Sequence, residues 1–220
     1  MTKYLLLSFF IFSVFNVFSQ NNSLGKSDPD AKKILDNVSA KFKTYKTVTA
    51  NFTLTVLNAA GKAQGTKTGV VNMKGSKYRV TISGQEIYSD GSNIWTFDKS
   101  ANEVQLTKFD PSTNTITPQK MFTNFYDKDF LYKLNSETKQ GGKTIQQVEL
   151  TPVDKTKTFF KVLVDIDKNS NNIVSTTVYE KNGNRYIYKI NSIKTNTDLP
   201  ESLFVFDAKK YPNVEVVDLR

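Results

Sequence analysis

The chain has 220 residues and a net charge of +9, with no cysteine and no histidine. Its fold is therefore built without disulfides, and no thiol is available to carry the acyl chains that anchor bacterial lipoproteins. Lacking histidine, it is without the commonest general base and the commonest transition-metal ligand, which weighs against hydrolytic and metal chemistry. Its lysines are spread over strands and turns instead of forming a block, so the charge argues for solubility or an anionic lipid before nucleic acid.

Lys3 precedes an apolar run from Tyr4 to Phe18, and Val17, Phe18 and Ser19 stand before Gln20. This is the layout of a cleaved export signal, too short for a spanning helix. The expected organisation is a signal peptide at 1–19, a polar lead-in at 20–27 and one domain at 28–220, large enough for a single core. Asp28-Pro29 supplies an N-cap and a first-turn proline. Ala31, Ile34, Leu35, Val38, Phe42 and Tyr45 then follow at helical spacing, with lysines and Asp36 on the other face.

The period changes to two in "TVTANFTLTVL", where Val48, Ala50, Phe52, Leu54 and Val56 alternate with threonines and Asn51. Further strands are expected at 66–74, 77–82, 85–89, 94–98 and 103–109, punctuated by Gly75, Gly84 and Asp90-Gly91. After "DPSTNTITP" a short helix is expected at 119–126, carrying Met121, Phe122, Phe125 and Tyr126. Strands resume at 130–134, 144–151, 159–167, 173–180 and 185–193, with an apolar stretch at 203–206. About ten strands joined by tight turns make one wide antiparallel sheet, which curls. Two modest helices cannot fill its concave side, so the sheet either closes on a side-chain core or leaves an apolar cavity.

Motifs for chemistry are weak. "DIDKNSNN" resembles half a calcium loop, but Ser170 stands where the loop glycine belongs and Thr176 where its glutamate belongs. Asp and Asn also suit a hairpin turn. The reading is therefore no metal, no cofactor and no catalytic residue. Tyr186, Tyr188 and Ile190 share a strand face and suit core or wall packing.

"SDGSNIWTFDKSANEVQL" resembles a segment of the outer-membrane lipoprotein carrier family, LolA, in which a Ser-Asp-Gly hairpin leads into a Leu-Trp-aromatic strand. "TANFTLTV", "GVVNMKGSKYRV" and "LFVFDAKKYPNVEVVD" resemble the first strand, the second and third strands, and the ending of that family. The resemblance implies a mostly β fold: an incomplete, strongly curved antiparallel barrel with a helical lid over an apolar concave face. It implies a periplasmic, non-enzymatic monomer whose cargo is acylated lipoproteins. That cargo is received from an inner-membrane ABC transporter and passed to an outer-membrane acceptor, and the missing cysteine favours the soluble carrier over the lipid-anchored receptor. The cavity wall is then assigned to Phe52, Leu54, Val56, Val71, Met73, Tyr78, Val80, Trp95 and Phe97, and the lid to Ile34, Leu35, Val38, Met121, Phe122 and Phe125. Alternatives are a relative that carries or senses a glycolipid or pigment lipid, an exported cell-envelope hydrolase, and a scaffold domain with a filled core. One departure stands out: an arginine that fastens the lid in well-known members is replaced by Gly75, with Arg79 expected on the other strand face.

Overall fold

The computed structural model describes residues 27–110 and 126–220. The signal segment and the lid positions Met121, Phe122 and Phe125 lie outside the described residues.

Helix α1 spans Pro29–Lys43. Asp28 caps it through Oδ1, which accepts from Asp30 N–H at 2.8 Å, and Lys41 and Lys43 complement the dipole of its last turn. Asp28 also fixes where the helix starts in space. Its N–H donates to the Tyr132 carbonyl at 2.9 Å, and its Oδ2 accepts from Leu134 N–H at 3.0 Å. Further along, Tyr126 Oη donates to Asp36 at 2.8 Å, and the Lys41 ammonium donates to the Ser170 carbonyl.

The strands are β1 (Thr47–Leu57), β2 (Ala63–Lys74), β3 (Lys77–Ile82), β4 (Gln85–Ser89), β5 (Asn93–Asp98) and β6 (Glu103–Lys108). A one-turn helix α2 (Tyr126–Asp129) leads into β7 (Phe130–Gln140), β8 (Lys143–Pro152), β9 (Phe159–Asp167), β10 (Asn172–Glu180) and β11 (Arg185–Thr195). The tail ends in β12 (Glu215–Asp218). All twelve form one sheet in the order β12-β6-β5-β4-β3-β2-β1-β11-β10-β9-β8-β7. It is a curved, open sheet, and its two hairpin meanders are joined where β1 pairs with β11.

The tail adds two elements that the sequence reading did not assign. Residues Glu201–Phe204, overlapping the apolar stretch at 203–206, form a 3-10 turn. The additional strand β12 pairs in parallel with β6, Val216 opposite Val104. A four-residue parallel edge has no tight turn to announce it, and its alternation is too short to read.

Because directly opposed residues share a face, the pairing defines an inner surface that runs almost the full width of the sheet. One line across it is Val148, Val164, Thr176, Tyr188 and Leu54. Another is Ala50, Val71, Val80, Ile87 and Thr96. The outer surface of β1, β10 and β11 carries mainly threonine, serine, asparagine and lysine, as an antiparallel sheet wetted on that side should.

Candidate functional site

The inner surface divides by its cover. Over β7–β9, the stripe Ala31, Ile34, Leu35 and Val38 of α1 packs on Phe130, Tyr132, Val148, Leu150, Val162, Val164 and Ile166, and all of these are buried. Tyr126 closes the end of this cluster against Tyr132, edge to face with centroids 5.9 Å apart. Ile34, Leu35 and Val38 therefore sit at the seam between helix and sheet, held by the Asp28 and Lys41 contacts.

Over β11 and β1–β4 the cover thins. Phe42 and Tyr45, in edge-to-face contact at 6.2 Å, are the last side chains from the helical side to pack on this part. Val48, Ala50, Phe52, Val71, Met73 and Tyr78 are buried beneath or beside them. Leu54, Val80, Ile82, Ile87, Tyr188, Ile190 and Ile193 pack against that cluster but keep part of their surface exposed. Val56, Tyr186 and Ile94 extend the same half-exposed apolar surface towards its margins. Tyr188 leans on Phe52 at 6.3 Å, and burial raises the pKa of its hydroxyl. The Phe52 ring lies directly over Gly69: a Cβ there would come within 2.4 Å of the ring and 2.8 Å of the Thr81 carbonyl. The glycine thus lets the ring lie flat across β2 and smooths the floor.

A cleft of about 220 Å³ opens between the end of α1 and the β2–β3 hairpin, lined by Phe42, Lys43, Tyr45, Met73 and Gly75 among others. Gly75 forms the hairpin tip with φ +56, a conformation that disfavours residues bearing a Cβ. Arg79 is no substitute for a fastening arginine here. Its register opposite Asn72 and Tyr88 puts it on the outer face.

Seven of the nine assigned wall residues share the inner face: Phe52, Leu54, Val56, Val71, Met73, Tyr78 and Val80. Trp95 and Phe97 share a face with each other, but it is the outer one, which corrects their assignment to the concave wall. Trp95 pairs with Tyr88, Phe97 with Glu86, and both look outward. There the chain returns across β4–β6, and Phe206 and Tyr211 pack on Phe97 with centroids at 5.2 and 4.4 Å. Tyr88 meets Phe206 edge to face at 5.7 Å, and Val104 and Val214 complete the cluster. Wall positions that the sequence reading passed over include Ile82, Ile87, Ile94 and Ile193, whereas Tyr186, Tyr188 and Ile190 were read as core or wall without a choice between the two. Alternation alone would have found Ile82, two residues on from Val80 in β3.

The outer cluster is locked by a buried carboxylate. Glu86 accepts from Arg79 at 2.7 Å, from Lys99 at 2.6 Å and from the Tyr88 hydroxyl. Burial raises its pKa, but the three donors outweigh that cost and hold it at about 2. Burial, with the bond to Glu86, pushes the Tyr88 hydroxyl well above its ordinary value. Tyr88 and Tyr211 stand 3.2 Å apart through their hydroxyls, which links the network to the returning tail.

The acidic turn after β9 has its carboxylates satisfied by groups of the chain itself. Asp167 caps the backbone of Asn169 and Ser170, and Asp165 accepts from Gln147 and Ser175. Among the described residues no group of three His, Cys, Asp or Glu side chains is placed to hold a metal ion.

A broad antiparallel sheet whose inner face is apolar, roofed at one side by a pinned helix and part-exposed at the other, defines a container for an apolar ligand. Comparison with known proteins gives the family. Residues 43–207 match the family "Outer membrane lipoprotein carrier protein LolA", and the chain belongs to it. An outer-membrane lipoprotein carrier protein of Pseudomonas putida (strain W619) is 27% identical over 172 residues, covering 76% of this chain and 79% of the relative. One from Cupriavidus pinatubonensis is 26% identical over 131 residues, 59% of each chain. An uncharacterized conserved protein from Thermus thermophilus shares the fold, with a TM-score of 0.57 at 13% identity over 86% of this chain and 99% of that one.

Proposed function

We propose that this chain is a periplasmic carrier that shields the acyl chains of lipoproteins on its inner face. In this reading it takes cargo from an inner-membrane releasing transporter and delivers it to the outer membrane. The observation that carries the reading is the half-exposed apolar surface of Leu54, Val56, Val80, Ile82, Ile87 and Tyr188, continuous with a helix-covered core. A finished core would bury these side chains; a wall that receives a ligand leaves them accessible. Family membership and the names of the two bacterial relatives support lipoprotein as cargo.

The chemistry required is burial and release, without bond-making. Each methylene withdrawn from water contributes about 0.8 kcal/mol, so a chain of about sixteen carbons gains roughly 12 kcal/mol before ordering costs. Full enclosure of several such chains would approach the practical limit of about −20 kcal/mol, and the complex would not dissociate usefully. A half-open wall offsets this by leaving part of each chain against solvent or against a receiving surface. Ile34, Leu35 and Val38 act in this scheme as the fixed edge of the lid. In this scheme the cleft at Gly75 is the side from which Phe42 and Tyr45, beyond the Lys41 contact, yield to the cargo.

The test is a release assay. Purified protein is added to spheroplasts synthesising a labelled lipoprotein, and the soluble fraction is assayed for triacylated protein bound to it. Capture of the lipoprotein is the expected result. If nothing is captured but mass spectrometry of the purified protein shows a glycolipid or pigment lipid, lipoprotein is the wrong cargo; if neither is found, the inner face is only a core.

A further inference from the structure

The β8–β9 connection, the β10–β11 turn and the β1–β2 turn gather at one end of the sheet. Lys181 N–H donates to the Thr158 carbonyl at 2.9 Å, and the Lys181 ammonium to the Lys155 carbonyl at 2.5 Å, which joins the first two. A Cβ on Gly183 would lie 2.6 Å from that of Ala59, which places the third against the second. At this corner Phe160, beside Tyr179, is exposed at 48%, and Val153, in the β8–β9 connection, at 53%. The Phe160 ring stands 6.2 Å from that of Tyr179. Lys161 lies over both rings, at 6.0 and 4.4 Å, and Arg185 over Tyr179 at 5.5 Å. Lys155, Lys157 and Lys181 surround the corner, against the carboxylates of Asp154 and Glu180.

Two features separate this corner from ordinary surface. Its apolar side chains keep about half their surface exposed instead of packing into the chain. Its cations lie along the aromatic faces, so charge and ring share one level, the arrangement that suits the headgroup layer of a bilayer. The location adds a third. Arg185 begins β11 with Tyr186 next to it on the inner face, and Tyr186 faces Val56. The corner therefore borders the margin of the part-exposed apolar wall.

We infer that this corner docks the protein on an anionic lipid surface, Phe160 and Val153 entering the headgroup layer and Lys155, Lys157, Lys161, Lys181 and Arg185 meeting the lipid phosphates. The inference rests on the carrier reading for its purpose, since docking here brings the open margin of the wall to a bilayer. The docking itself is measurable without cargo.

The test is flotation of the purified chain with phosphatidylcholine vesicles, with and without phosphatidylglycerol, at low and raised salt. Binding is expected only with phosphatidylglycerol and is expected to weaken with salt. Lys161→Ser should reduce it about fivefold, the loss corresponding to one basic residue near an anionic surface. The combined variant Phe160→Ser/Lys161→Ser should reduce it by more than tenfold, about the additional effect of one apolar side chain. The control Lys139→Ser/Lys143→Ser removes more charge at the opposite end of the sheet and should stay within about threefold of the parent, because headgroup contact is local. Equal loss in the control, equal binding to neutral vesicles, or no binding at all overturns the inference, including where the soluble protein still captures lipoprotein. Vesicle binding that survives Val80→Glu, a wall substitution, separates docking from cargo uptake. Docking without any lipoprotein capture would sink the carrier reading and leave the surface assignment intact.

Discussion

The two sides of the inner face use the same alternation and much the same residues, yet one is sealed and the other is not. Over β7–β9 the central cluster is buried under α1, and only Leu134 of the apolar side chains packed on it from these strands stays part-exposed. Over β11 and β1–β4, Leu54, Val80, Ile82, Ile87 and Tyr188 remain part-exposed. Geometry accounts for the difference. A helix with its side chains is about 10 Å across and strands are spaced about 4.8 Å apart, so one helix roofs only two or three strands squarely. α1 is pinned to β7 by both the backbone and the side chain of Asp28. Its coverage is therefore committed to one side, and the far strands of a twelve-stranded sheet lie beyond its reach. An exposed apolar wall is a direct product of where the helix is tied.

That comparison can be broken most sharply on the sealed side. Leu150 is fully buried beneath the helix. Leu150→Ala should cost about 3 kcal/mol in urea unfolding, with any loss of lipopeptide binding tracking the unfolded fraction. A stability cost below about 1 kcal/mol would mean the cluster under α1 is not a packed core. The tail-covered outer face offers a second sealed region, held by charge. Glu86 has an ordinary pKa of 4.5 and is held at about 2 when folded. Its folded value is depressed, so the stabilisation is fully present above pH 4.5 and is lost as pH falls towards 2. The amount is roughly 3 kcal/mol, and Glu86→Gln should remove a similar amount at neutral pH while flattening the acid limb of the stability curve. A smaller effect belongs to the tie itself. Asp28→Ala removes a helix cap and the bond to Leu134, at about 1–2 kcal/mol. The backbone bond from Leu134, foremost, keeps the Asp28 carboxyl below its ordinary value, so this contribution too fades on acidification. Increased hydrogen exchange along α1, with β1–β4 unchanged, is the signature to look for.

Strands β1, β3, β4 and β9 are legible residue for residue, because each is an apolar, β-branched or aromatic run closed by glycine or an Asx turn. The α1 stripe is legible for the same kind of reason, a period of 3.6 behind a capping Asp-Pro. The wall is legible as far as β3. It fails at β5 because both faces of β4 and β5 are apolar: Ile87 and Ile94 look inward, Tyr88, Trp95 and Phe97 outward. Alternation says that two sets exist but not which is which. The deciding fact is non-local, the return of Phe206 and Tyr211 across the outer side from more than a hundred residues away. The exposure of Leu54 and Val80 is likewise invisible in sequence, since it depends on where Asp28 ties the helix.

The smallest expected signal is also the one that decides which face receives cargo. Trp95 is the only tryptophan in the chain, and it is packed with the outer cluster, with the sheet between it and the inner face. A lipopeptide taken up on the inner face should leave its emission within a few nanometres of the apo value, whereas Glu86→Gln, which loosens the tail, should shift it to the red. Val80→Glu places a carboxylate in the wall at a half-exposed position, so its stability cost should stay below about 1 kcal/mol while lipopeptide binding is lost. A large blue shift of Trp95 on lipopeptide binding, abolished by loosening the tail and indifferent to Val80→Glu, would put the ligand under the tail instead. The open side of the sheet would then be an unfinished core, and the contrast between its two sides would have nothing to do with function.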